Sequence, residues 1–137
     1  MNFIMGVVAL TNEVKTFISE NISSYEDLQV LLLMHEHPGR NWDAVDIAEN
    51  LRIEPMSAST HLMNLHTRGL VEHNAARGPF YEFQYSLHST SIAREQQISA
   101  LAAAFERARA EVVDYIFQKS RGQLQSFADA FKVKKDK

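Results

Sequence analysis

The sequence predicts a mainly α-helical chain with one small β-hairpin, and three observations carry that class. Residues 41–74 hold two short helical patterns separated by a turn. Two strand-like runs follow at once, on either side of Ala75-Ala76-Arg77-Gly78-Pro79. Apolar stretches at helical spacing then flank this unit on both sides. Helix, helix and hairpin in that order make a helix-turn-helix with a wing behind it, framed by N- and C-terminal helices.

At the start, Phe3, Ile4, Val7, Val8, Val14, Phe17 and Ile18 recur loosely on one helical face. Gly6 weakens the first turns, and Thr11 offers a place to restart the helix. Asn21-Ile22-Ser23-Ser24 is a break, and Ser24 with Asp27, or Ser23 with Glu26, resembles a capping box. The helix from Tyr25 to about His35 carries Leu28, Val30, Leu31, Leu32, Leu33 and Met34, a run that predicts burial on most sides. Pro38-Gly39 ends it. Asp43 is placed to cap the next helix, with Asp46 in its first turn and Trp42 packed across its start. Val45, Ile47, Ala48 and Leu51 form the apolar side. Arg52-Ile53-Glu54 makes the turn, and Pro55 opens a second helix where its missing N–H costs nothing. Ala58, Leu62 and Leu65 keep helical spacing until Gly69 stops the helix as a left-handed cap.

Val71–Asn74 and Phe80–Tyr85 then pair as a hairpin, with Tyr81, Phe83 and Tyr85 alternating onto one face. His88-Ser89-Thr90-Ser91 caps a long helix over about Ile92–Lys119. Within it Ile98, Leu101, Phe105, Ala108, Val112 and Tyr115 are spaced 3, 4, 3, 4 and 3 apart, the mark of a seam against another helix. A helix of about 28 residues spans roughly 42 Å and outreaches a compact core. Those six residues are therefore the expected homodimer interface, with packing onto the chain's own first helices as the alternative. Ser120-Arg121-Gly122 predicts a break, followed by a short helix over Gln123–Phe131 and a basic tail. The chain thus divides into a helical segment 1–22, the winged unit 23–88 and C-terminal helices 89–137.

Composition narrows the function. The 137 residues, 45% hydrophobic, suit one domain with a real core. With no cysteine, disulfides, thiolate metal sites and cysteine nucleophiles are excluded, and a reducing cytoplasm is the expected location. Met1–Leu10 is apolar, yet it lacks a basic leader and is too short to span a bilayer, so no membrane association is expected. Charge is unevenly placed. Residues 1–74 carry four Lys/Arg against ten Asp/Glu, whereas residues 75–137 carry ten against seven. Nucleic-acid binding relies on neutralising phosphates, which puts the helix-turn-helix half at the wrong sign.

The run Pro55-Met56-Ser57-Ala58-Ser59-Thr60-His61-Leu62-Met63-Asn64-Leu65-His66-Thr67-Arg68-Gly69-Leu70-Val71 resembles the recognition helix and Gly-Leu exit of MarR-type and related winged-helix transcriptional regulators. The likeness covers roughly residues 24–86. It implies a cytoplasmic dimer whose terminal helices pair two subunits and whose second motif helix enters a DNA major groove. One departure stands out: no charged residue lies between Glu54 and Arg68, and Thr60 and Asn64 occupy places where that family commonly carries basic side chains.

On this reading Ser57, Ser59, Thr60, His61, Asn64 and Arg68 contact DNA, and Arg77 of the wing holds the backbone. The alternative is a winged-helix protein-interaction module that does not bind DNA, with a neutral helix face docking a protein partner. An acidic or apolar surface around the second helix favours that alternative, and a basic stripe favours DNA. The six histidines give no metal site: His35 and His37 point apart, and His61 and His66 lie about 140° apart around a helix. No nucleophile elbow, phosphate-binding glycine loop or dinucleotide fingerprint is present, so neither an enzyme nor a cofactor is expected. An aromatic pocket lined by Phe17, Tyr25, Phe105 or Tyr115 is a further candidate.

Overall fold

The computed structural model describes residues 10–83 and 89–135. Helix α1 (Asn12–Asn21) starts where Thr11 accepts a hydrogen bond from the Val14 N–H, so the restart at Thr11 is realised. Helix α2 (Tyr25–His35) keeps the expected bounds, with the Ser24 hydroxyl accepting from the Asp27 N–H. The segment Met1–Ala9, the strand positions Gln84 and Tyr85, and His88 lie outside the described residues.

Strand β1 (Asn41–Trp42) leads into α3 (Ala44–Leu51). Asp43 and Asp46 form a reciprocal capping box there, each carboxylate accepting from the other's backbone N–H, at 2.7 and 3.3 Å. Arg52 adopts the left-handed conformation (φ 59°) to turn the chain into α4 (Pro55–Thr67), with Pro55 at its first position. That helix closes with two reversed bonds, Gly69 N–H to the His66 carbonyl and Leu70 N–H to the Leu65 carbonyl. Gly69 has a φ of 78°, as the glycine signal requires.

Strands β2 (Val71–Asn74) and β3 (Phe80–Phe83) pair antiparallel around a 3₁₀ turn at Ala75–Arg77. The expected hairpin is present but is part of a larger sheet. β1 adds to the outer edge of β3, giving the antiparallel order β1-β3-β2 with Trp42 opposite Tyr81. Trp42 is fully buried, and the Arg40 guanidinium lies 3.7 Å over its ring. Two residues are too short for a periodicity to announce, so β1 had no signal of its own.

The C-terminal half departs from expectation. Helix α5 (Ser89–Arg107) and helix α6 (Arg109–Lys135) meet at Ala108, whose N–H and carbonyl both keep their helical bonds to Ala104 and Val112. Gly122 does not break α6, which runs on through the region expected to be a separate short helix. A lone glycine costs a helix interior only about 1 kcal/mol.

The seam is also used differently. Ile98, Leu101, Ala108 and Val112 are buried within the single chain, where α5 packs on α1 and α6 packs on α1 and α2. Phe105 and Tyr115 are half-buried against the same core. The seam thus follows the alternative reading, packing onto the chain's own first helices: a 3-4 spacing needs a helical partner, and this chain supplies one. One core joins Phe17, Ile18 and Ile22 of α1 to Leu28, Leu31 and Met34 of α2 and to Leu62 and Leu65 of α4. Val45, expected on the apolar side of α3, is instead half-exposed. Among the described residues no helix is long and apolar enough to cross a membrane.

A non-glycine residue in the left-handed region carries a penalty of about 1 kcal/mol. Replacing Arg52 by glycine is expected to raise the unfolding free energy by about 0.5–1 kcal/mol in denaturant titrations. A loss of stability would mean that the Arg52 side chain makes up for its backbone.

Candidate functional site

Helix α4 packs on α2, α3 and β2, and its residues sort cleanly by direction. Ala58, Leu62 and Leu65 face the core and are fully buried. Residues 56, 59, 60 and 63 share the opposite face at 100° per residue. There Met56 is 81% exposed and Met63 50%, with Ser59 and Thr60 exposed between them. The Thr60 hydroxyl donates back to the Met56 carbonyl at 3.1 Å. This face is neutral. Glu49, Glu54 and Glu72 are exposed around the same unit, and residues 41–74 hold five carboxylates against Arg52 and Arg68.

The polar flank of α4 turns inward onto Asp27, a fully buried carboxylate at the start of α2. His61 donates from Nδ1 to Asp27 Oδ1 at 2.7 Å, and Asn64 donates to the same oxygen at 3.3 Å. The Ser23 N–H donates to Oδ2 at 3.1 Å. A buried carboxylate costs several kcal/mol unless it is paired and hydrogen-bonded, and here it is both. His61 Nε2 faces the Ser57 hydroxyl at 3.4 Å. Ser57, His61 and Asp27 thus follow the order of a nucleophile, base and orienting acid, but a working hydroxyl–imidazole bond falls at about 2.6–3.2 Å. The bonds of His61 and Asn64 to Asp27 fasten α4 to α2.

A second set of bonds fastens the end of α4. Arg68 donates to the Glu20 carbonyl at 2.6 Å and to the Ser23 hydroxyl at 3.1 Å. Lys119 of α6 donates to the Ile22 carbonyl at 3.0 Å, and Arg94 of α5 to the Arg68 carbonyl at 3.4 Å. Cationic donors suit the Glu20 and Ile22 carbonyls, because the end of α1 leaves acceptors unpaired and its dipole end is negative. The Arg68 carbonyl stands at the matching end of α4.

Of the residues expected to read DNA, Ser59 and Thr60 face outward, whereas Ser57 is half-buried and His61 and Asn64 are engaged by Asp27. Arg68 is exposed but already bonded to α1, and the side chain of Arg77 lies outside the described residues. Asp27 is what sequence reasoning passed over. Its spacing from Ser24 read as a capping box, and no local signal links it to His61, 34 residues away. The expected aromatic pocket is also redistributed. Phe17 is buried and Tyr115 bonds Ser19 at 2.8 Å, while a cleft of about 300 Å³ lies around Phe105, lined by Leu32, His35, Glu36, Ala102, Ala103 and Glu106. Among the described residues no group of three or more His, Asp or Glu could hold a metal ion. Comparison of the chain with protein-family models, curated proteins and solved structures gave no match.

Burial holds the Lys119 ammonium below its ordinary pKa of 10.5; the Arg68 guanidinium lowers it further, and Asp27 pulls the other way. Below the lowered value both folded and unfolded chains keep the proton, and the folded state bears the desolvation. As pH rises through it, the folded chain releases its proton first, so stability climbs toward pH 10.5. Wild type should therefore gain stability relative to Lys119→Met over that alkaline window, measured by denaturant unfolding at stepped pH. A flat difference would show that the ammonium is not desolvated.

Proposed function

We propose that this chain is a winged-helix module of the transcription-regulator type whose α4 face docks a protein partner. The winged-helix reading is supported by the order β1-α3-α4-β2-β3 and by the β1-β3-β2 sheet that backs α4. The partner reading is carried by one observation: the outward face of α4 presents Met56, Ser59, Thr60 and Met63, with no cation, amid exposed carboxylates. Methionine is flexible and polarisable, which suits a surface that receives another protein's side chains. A DNA groove demands the opposite, because phosphate neutralisation supplies most of non-specific affinity. The cysteine-free chain fits a reducing cytoplasm.

A second reading, a MarR-like DNA-binding regulator, is favoured by the outward hydroxyls of Ser59 and Thr60 in the first turns of α4. Recognition helices touch base edges from that end. Two arms separate the readings. In fluorescence anisotropy with random duplex at about 50 mM salt, the protein-partner reading expects no saturation below roughly 10 µM. A photo-crosslinker at Met63 should capture a defined protein in cells of the source organism, and Met56→Glu should abolish the capture. Tight duplex binding that Thr60→Glu removes would reverse the order of the two readings.

A further inference from the structure

We propose that the junction between α1 and α2 is a binding site for a phosphate group, held by Arg68, Arg94 and Lys119. Arg68 and Lys119 converge on that junction, and Arg94 approaches it through the backbone of Arg68. Arg68 comes from the end of α4, Arg94 from α5 and Lys119 from α6. Arg68 and Lys119 are anchored on consecutive residues, at the Ser23 hydroxyl and the Ile22 carbonyl, 3.1 and 3.0 Å away. Arg94 reaches the Arg68 carbonyl at 3.4 Å.

Capping of α1 accounts for some of these bonds, and Asp27, which acts on Lys119 without touching it, offsets part of the charge. Among the described residues the one ion pair joins His61 to Asp27, so no described carboxylate is in contact with these three cations. Asp27, on the same α1–α2 junction, has its oxygens taken by His61, Asn64 and the Ser23 N–H. Donors remain in surplus. A guanidinium has five N–H groups and an ammonium three. Arg68 uses two in the described bonds, Arg94 one and Lys119 one. Ser23 adds a fourth donor group: it is exposed, and because its oxygen accepts from Arg68 its own O–H remains to donate. A tetrahedral dianion offers acceptors to planar forks and a point cation together, and relieves the repulsion among them. The same anion would brace α4 against α1, α5 and α6 at once.

The test is a ¹H–¹⁵N NMR titration of the full chain with inorganic phosphate, with ionic strength held constant by chloride. Saturable shifts are expected at the Ile22 and Ser23 amides and at the Arg68 Nε–H. A parallel titration with glycerol 3-phosphate tells the source: tighter binding there means an organic monoester, and weaker binding there means the free ion. Arg68→Gln should abolish saturation. Because Arg68 also secures α1, Arg94→Gln provides the second variant: it leaves the α1 bonds intact and should weaken binding roughly fivefold. Shifts that never saturate with either compound, or an affinity unchanged in Arg94→Gln, would overturn the site.

Discussion

One buried carboxylate sets the arrangement of this protein. Asp27 lies at the start of α2 with no solvent exposure, and a charge at that depth must be met from several sides. The loop before α2 meets it with the Ser23 N–H, and α4 meets it with His61 and Asn64. The need to satisfy Asp27 therefore fixes the rotation of α4 about its own axis. Apolar burial of Ala58, Leu62 and Leu65 is non-directional, so the polar bonds add an angular constraint to it.

That rotation has a consequence for function. With His61 and Asn64 drawn inward, the outward face of α4 keeps Met56, Ser59, Thr60 and Met63 and no charge. Arg68, at the C-terminal end of the helix, bends back to the carbonyl of Glu20. Helix α4 is thus held by polar bonds at its flank and its end, and it offers a neutral, methionine-bearing surface. Such a surface is poorly suited to phosphate and well suited to another protein's apolar side chains.

Most elements could be read from the sequence because their signals are local. Ser24 and the apolar run behind it placed α2, while Pro55 and Gly69 bounded α4, each through a backbone requirement that the structure meets. The capping pair Asp43 and Asp46 was visible for the same reason. What could not be read was long-range. The spacing of Ile98, Leu101 and Val112 announces a helical partner without saying whose, and the partner is this chain's own α1 and α2. The bond between Asp27 and His61 leaves no trace in spacing, because residues 34 apart carry no periodic relation. Asp27 also had a sufficient local explanation as part of a cap, and that explanation hid the larger one. Only half of the cap is present: the Asp27 N–H bonds Ser24, but its carboxylate goes to Ser23 and α4.

The claim that Asp27 orients α4 through His61 is open to a double-mutant cycle on unfolding free energy. Asp27→Ala, His61→Ala and the double variant, measured by urea denaturation, give the coupling between the two side chains. A coupling of at least about 1 kcal/mol is expected for a short bond to a buried carboxylate. Additive losses, agreeing within about 0.3 kcal/mol, would show that the two side chains act independently and that α4 takes its orientation from apolar packing alone.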